Sequence, residues 1–318
     1  MAFTLRSIAA PDLEGLFPIL REKFILKPAD RSGFLSLWRE LLEKNACISV
    51  AVEDRRLAPG KRLVGFGMSV FVTDAFARRV NDEGPFLSRL FLREWAGGNR
   101  PYLLKPEVAA ANAGEGLNLM VLHYGWREEA LAPADLAAVR LKQTESFLQQ
   151  HAGYKVKEYL QEVFGEELRD FVLTAGSLLR QDYQEARWKK PLRGVSKGDW
   201  PYLTGFRAEE ILARAGTTAS MLQARAQPPR FALAPSEQDM LSKALQGETD
   251  EKLSRSLKVS PWTIKKRWQS VYLKVRKADP DLLENNGPEK KNEQRRRYLL
   301  DYLRQHPEEL RPRSSPRR

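Results

Sequence analysis

The chain has 318 residues, enough for one larger domain and one smaller one rather than a lone binding module. A 42% hydrophobic fraction excludes wholesale disorder, and a single cysteine, Cys47, excludes an intrachain disulfide and a cysteine-rich zinc site. With 53 lysines and arginines against 41 acids the net charge is +12, which favours polyanionic partners without choosing among them.

Met1 to Gly15 carries Asp12 and Glu14 and lacks the basic-then-apolar pattern of a signal peptide. No apolar run approaches the ~18 residues of a membrane-spanning helix, so a cytoplasmic protein with no membrane partner is expected. The opening predicts a short strand, a turn at Pro11-Asp12 and a helix bearing Leu13, Leu16, Phe17 and Leu20. A second helix is predicted over about Ser32 to Lys44. The β-branched, apolar runs Cys47–Val52 and Leu63–Thr73 flank a segment containing Pro59-Gly60, the pattern of a hairpin with a long loop. A strand over Leu117 to Tyr124 and a helix over Ala134 to Gln150 follow. Two further helices are predicted over Val156–Phe164 and Glu167–Leu179, and Lys155, Lys157, Glu158 and Glu162 read as a solvated helix face. Gln227, Pro228, Pro229 and Arg230 read as a linker, because consecutive prolines disfavour helix and stiffen the chain.

Beyond that linker the sequence holds 20 basic and 13 acidic residues. Leu233, Met240, Leu241, Ala244 and Leu245 form one helical face, with Pro235 in the first turn and Gly247 past the end. Thr249 is placed to cap a second helix bearing Leu253 and Leu257. A turn of Lys258 and Val259 leads to Ser260, a good N-cap, and Pro261, a good first helical residue. In the third helix Ile264, Trp268, Val271 and Val275 make a narrow stripe, while Trp262, Lys265, Lys266, Gln269 and Arg276 point away from it. Trp262 is equally suited to packing on a sugar or on the linker. Four basic residues and no acid between Pro261 and Val275 suit a helix entering a phosphate-lined groove.

The run from Leu233 to Val275 resembles the LuxR/FixJ/GerE family of helix-turn-helix regulators, with Glu237, Leu241, Gly247, Leu253, Leu257, Val259, Ser260, Thr263, Ile264, Lys265, Tyr272 and Lys274 in the family's order. That resemblance implies base contacts from Lys265, Lys266 and Gln269 and phosphate contacts from Thr263 and Lys274. Ser260 and Arg267 complete the expected DNA-binding set. Ala234, where the family has a capping threonine, and Arg267 and Ser270, in place of a histidine and an asparagine, depart from the pattern. The tail beyond Pro288 predicts one more helix, over Glu289 to Arg304, with a basic cluster of Lys290, Lys291, Arg295, Arg296 and Arg297 beside an apolar stripe.

The first 180 residues resemble the GNAT N-acyltransferase fold in TLRSIAAPDLEGLFPIL, in the paired CISVAVED and RLVGFGMSVFV, and in LNLMVLHY leading into a helix. The resemblance implies an acyl-CoA site in a glycine-containing loop before that helix, where backbone amides would cradle a diphosphate. Here the loop reads HYGWREEALAPAD, with Gly125 alone and with Glu128 and Glu129 where the diphosphate would lie, an electrostatically repulsive arrangement. Arg62, Gly65 and Gly67 match the family's spacing but open a strand, and read as a strand glycine pair. His123, His151 and His306 lack metal-ligand spacing and read as solvated or satisfied histidines.

The sequence therefore predicts an α/β, GNAT-like sensory or dimerisation domain over 1–180, a connecting segment and linker over 181–230, an all-α helix-turn-helix domain over 231–280 and a basic extension over 281–318. The expected function is a DNA-binding transcription regulator without enzymatic activity, cofactor or metal. Double-stranded DNA is its expected partner, and a homodimer and a contact with RNA polymerase are compatible with it. The alternative is a GNAT-type acyltransferase fused to a DNA-binding module.

Overall fold

The computed structural model describes residues 2–223, 229–245, 247–284 and 292–312. The chain divides into two compact units, Met1–His151 with Lys155–Ala224, and Ala152–Tyr154 with Arg225–Arg318. The first unit runs β1 (Phe3–Arg6), α1 (Leu13–Leu16), α2 (Pro28–Glu43), β2 (Cys47–Asp54), β3 (Leu63–Val72), α3 (Asp74–Glu83), α4 (Leu87–Ala96), α5 (Lys105–Ala113), β4 (Leu117–Trp126), α6 (Pro133–His151), β5 (Val156–Phe164), α7 (Glu166–Thr174), β6 (Leu178–Gln181), β7 (Pro201–Arg207) and α8 (Ala208–Leu212).

The seven strands form one sheet in the order β1-β2-β3-β4-β5-β7-β6. β4 and β5 pair in parallel, and the other neighbours are antiparallel. The parallel pair needs a crossover, which α6 supplies. On one face α2 buries Phe34, Leu37, Trp38 and Leu41, spaced as a single helical stripe. Its start is favoured by Pro28 at the first helical position and by Asp30, whose carboxylate accepts from Lys27 N at 3.0 Å. Trp38 packs on Phe17 at 4.8 Å between ring centroids, in a core that includes Phe66, Phe91, Tyr102 and Leu160. Fully burying each such side chain stabilises the fold by about 1.5–3 kcal/mol.

On the other face α6 buries Val139, Gln143 and Ser146. A Cβ at Gly65 would meet Val139 Cγ1 at 2.9 Å, and one at Gly67 would meet Gln143 Nε2 at 2.9 Å. The Arg62-Gly65-Gly67 pattern is thus strand glycines that admit a helix close to the sheet.

Three sequence expectations change here. Val156–Phe164, read as helix, is β5: pairing with both β4 and β7 overrides the helix-compatible composition of VKEYLQEVF. Leu178 and Leu179, read as a helix end, begin β6, because α7 stops at Thr174 and Gly176 turns the chain at φ +110°. The stretch 181–230, expected to connect two domains, contributes β7, which pairs with β5 from Glu158 to Phe164, and α8. Gln227 and Pro228 lie outside the described residues.

The second unit contains α9 (Pro235–Leu245), α10 (Asp250–Ser256), α11 (Pro261–Ala278), α12 (Pro280–Glu284) and α13 (Asn292–Gln305). Its core joins Leu233, Met240, Leu241 and Leu253 to the stripe Ile264, Trp268, Val271 and Val275 of α11 and to Leu299 and Leu303 of α13. Thr249 and Ser260 cap α10 and α11, accepting from Lys252 N and Thr263 N, and Lys258 turns the chain between these helices at φ +53°. Lys290 and Lys291 lie outside the described residues. Among the described residues no helix is long and apolar enough to cross a membrane.

Candidate active site

β4 and β5 pair only from Leu117 opposite Val156 to Val121 opposite Gln161. Beyond that point β4 stays with β3 as far as Trp126 and β5 stays with β7 as far as Phe164, so the two parallel strands splay apart. A register shift opposite Met68 and Ser69 gives β4 one extra residue, Leu122, which reverses the alternation of its side chains. Val121, Tyr124 and Trp126 then face α6, while His123 faces α2.

The segment between α1 and α2 covers the splay. Arg21 N donates to Tyr124 O at 3.0 Å, and Arg21 Nη2 donates to Gly198 O at 3.0 Å. This approach needs a glycine at 125, where a Cβ would lie 1.7 Å from Ile19 O.

On the α2 side lies a buried acid–base group. His123 Nδ1 and Glu22 Oε1 are 2.5 Å apart, and the imidazole sits edge-on between Phe34 and Trp38, its centroid 5.0 and 5.1 Å from theirs. His123 Nε2 and Glu22 Oε2 are buried with no hydrogen-bond partner. Across the splay, Glu162 of β5 accepts from Phe86 N at 2.7 Å and Leu87 N at 3.0 Å, at the start of α4. Burial pushes the Glu162 carboxyl up to about 8 against those two hydrogen bonds, which favour the ionised form. Burial also holds the Tyr124 hydroxyl well above its ordinary value, so it remains protonated.

On the α6 side the same two strands floor a cavity of about 500 Å³ that reaches under α6 and α7. Ile48, Val50, Phe147, Tyr159, Phe206 and Leu222 are among its apolar walls. Its amide and imidazole groups are paired: Gln143 Nε2 donates to Phe66 O and Gln143 Oε1 accepts from Trp126 Nε1, while His151 Nε2 lies 2.8 Å from Ser69 Oγ. Arg140, over the Trp126 ring at 4.8 Å, contacts Glu128 at 3.2 Å and Glu167 at 3.4 Å.

The seven residues expected to touch DNA lie on or beside α11. Ser260 accepts from Thr263 N at 3.1 Å, and the two hydroxyls are 2.9 Å apart. Lys265, Lys266 and Gln269 are exposed, with Lys266 Nζ 5.4 Å from the Trp262 ring centroid. Arg267 is half-buried and donates to Ser236 O at 3.4 Å. Lys274, expected on a phosphate, donates to Glu237 Oε2 at 2.6 Å, and Glu237 also accepts from Ala234 N and Ser270 Oγ. Glu237 thereby supplies the cap that Ala234 cannot.

The acid–base group contains residues that sequence reasoning set aside. His151 is satisfied as expected, whereas His123 keeps a buried, unpartnered nitrogen. Glu162, read as part of a solvated helix face, is a buried carboxyl on a central strand. The one available signal for His123 is its place in a largely apolar strand, LNLMVLHY.

No protein-family model matches the sequence, and no curated protein does. Solved structures do match its first two thirds. The C-terminal condensation domain of Ebony, in complex with beta-alanyl-dopamine, is 12% identical and covers 65% of this chain and 99% of its own, with a TM-score of 0.41. Mutant forms of the spermidine/spermine N-acetyltransferase SpeG from Vibrio cholerae are 12% identical, covering 67% and 98%, with a TM-score of 0.35. FeeM, an N-acyl amino acid synthase from uncultured soil microbes, is 10% identical, covering 67% and 96%, with a TM-score of 0.35. These are likenesses of fold, and the strand order with its splayed parallel pair resembles the GNAT fold over the first unit.

The expectation of a transcription regulator without enzymatic activity is corrected by these findings. The three structures named above are a condensation domain, a spermidine/spermine N-acetyltransferase and an N-acyl amino acid synthase, and not DNA-binding regulators.

Proposed function

We propose that the first unit transfers an acyl group from a thioester to an amine. The observation that carries this reading is the placement, on opposite faces of one splayed strand pair, of an apolar cavity and a buried histidine–carboxylate pair. The amine nitrogen attacks the thioester carbonyl, the C–S bond breaks, and an amide and a thiol result. The amine must lose a proton, and the thiolate gains one. With Nδ1–H donating to Glu22, His123 is held in the tautomer whose Nε2 accepts, and that atom takes the proton. Tyr124, kept protonated by burial, is the hydroxyl at the splay able to return a proton to the departing sulfur.

The test is to incubate the full chain with an octanoyl thioester and a panel of amines, following free thiol by colour and the amide by mass. Thiol release that depends on the amine and is matched by amide is expected. Absence of amine-dependent release with every thioester overturns the reading.

For the second unit, exposed Lys265, Lys266 and Gln269 on one helix support double-stranded DNA as a partner that localises the enzyme. Binding that weakens steeply with salt, and further on Lys266→Ala, is expected. Affinity indifferent to both removes DNA as the partner.

A further inference from the structure

The loop that leads into α6 does not fit a nucleotide diphosphate. An anion cradle requires backbone amides that converge on the anion and are not bonded elsewhere. Here Arg127 N donates to Val64 O, Ala130 N to Arg127 O, Leu131 N to Glu128 O and Leu136 N to Ala132 O, and residue 133 is a proline with no N–H. Glu128 and Glu129 occupy the turn, and Asp135 sits in the first turn of α6, where it accepts from Arg56 Nη2 at 2.7 Å. Arg140, the arginine of the cavity lining, already lies between Glu128 and Glu167. A dianion placed there meets the carboxylates of Glu128, Glu129 and Asp135 beside the amides that these bonds leave open at the start of α6, so repulsion opposes the cradle.

The cavity behind this loop has the opposite character. At about 500 Å³ it is within the size range of sites that enclose a whole organic ligand, and its buried amide and imidazole groups are satisfied by the protein itself. It offers an occupant mainly apolar contact, with the buried Tyr124 hydroxyl as a polar group left without a hydrogen-bond partner.

We infer that the acyl donor is a thioester with a long apolar acyl chain and a thiol portion that carries no nucleotide diphosphate. This rests on the acyl-transfer reading above. The acyl chain occupies the cavity under α6, the thioester carbonyl lies at the splay, and the thiol leaves past the acidic loop as an uncharged group. The amine gains the acyl group and loses one proton, the sulfur gains one, and no co-reactant is needed.

The test compares three donors with one amine: octanoyl-N-acetylcysteamine, acetyl-N-acetylcysteamine and octanoyl-coenzyme A, the last containing the first with a nucleotide diphosphate added. The octanoyl-N-acetylcysteamine thioester is expected to match or exceed octanoyl-coenzyme A in kcat/KM. It is expected to exceed the acetyl thioester by roughly tenfold or more, since each added methylene buried contributes. In the double variant Glu128→Gln, Glu129→Gln, the coenzyme A rate should rise severalfold relative to the N-acetylcysteamine rate. A tenfold preference for octanoyl-coenzyme A, or equal rates for acetyl and octanoyl, overturns the inference while acyl transfer stands. No turnover of any donor overturns acyl transfer itself.

Discussion

Replacing Glu162 by glutamine should change how stability depends on pH, and the structure sets both sign and size. In the folded chain burial pushes this carboxyl up to about 8, from an ordinary value of 4.5. Below pH 4.5 the group is protonated in both the folded and unfolded chains, and its contribution to stability is fully present. Between 4.5 and 8 the unfolded carboxyl ionises while the folded one keeps its proton, so stability falls as pH rises and the loss is complete above 8. The interval corresponds to about 5 kcal/mol. Glutamine abolishes this slope. Its single carbonyl oxygen also leaves one of Phe86 N and Leu87 N unpaired, a pH-independent cost of about 1–3 kcal/mol. Urea unfolding followed by tryptophan fluorescence, at five values from pH 5 to 9, compares the two proteins. Wild type should be the more stable at pH 5, with the advantage shrinking and then reversing towards pH 8. Parallel stability curves would refute a carboxyl held neutral by burial.

Substitutions at two further positions probe the two units separately. Gly125→Ala should destabilise the first unit by more than a surface change does, because the Cβ cannot coexist with Ile19 O at 1.7 Å; a thermal midpoint equal to wild type would contradict the close approach that covers the splay. Ser260→Ala should cost about 0.5–2 kcal/mol by removing the acceptor for Thr263 N, as read by denaturant unfolding of the second unit's helices. Glycine at the same position should cost only a few tenths.

What could be read from the residues alone follows the range of the interactions. The β2–β3 hairpin is legible because its signals are local: β-branched runs on either side of Pro59-Gly60. The α10–α11 turn is legible for the same reason, with Thr249, Ser260 and Pro261 each acting within one helical turn. β5 is not. Its lysine, glutamates, leucine and glutamine suit a helix, and its extended state comes from pairing with β4 and with β7, some forty residues on either side.

The site was hidden by the same distance in sequence. Glu22 and His123 are 101 residues apart and meet only because the segment after α1 lies across the splay. Glu162 is bonded by amides 75 and 76 residues earlier in the chain. The acidic turn at Glu128 and Glu129 is legible in the sequence as an argument against a diphosphate, and on the acyl-transfer proposal it bears on the form of the donor and not on catalysis itself.

The central claim is that His123 and Glu22 form the acid–base pair for acyl transfer at the splay. Amine-dependent thiol release by wild type and by His123→Ala, at saturating thioester and with unfolding profiles checked to be alike, tests it most directly. The account predicts a fall in kcat of about 100-fold or more with little change in KM. An unchanged kcat in the folded variant would contradict it.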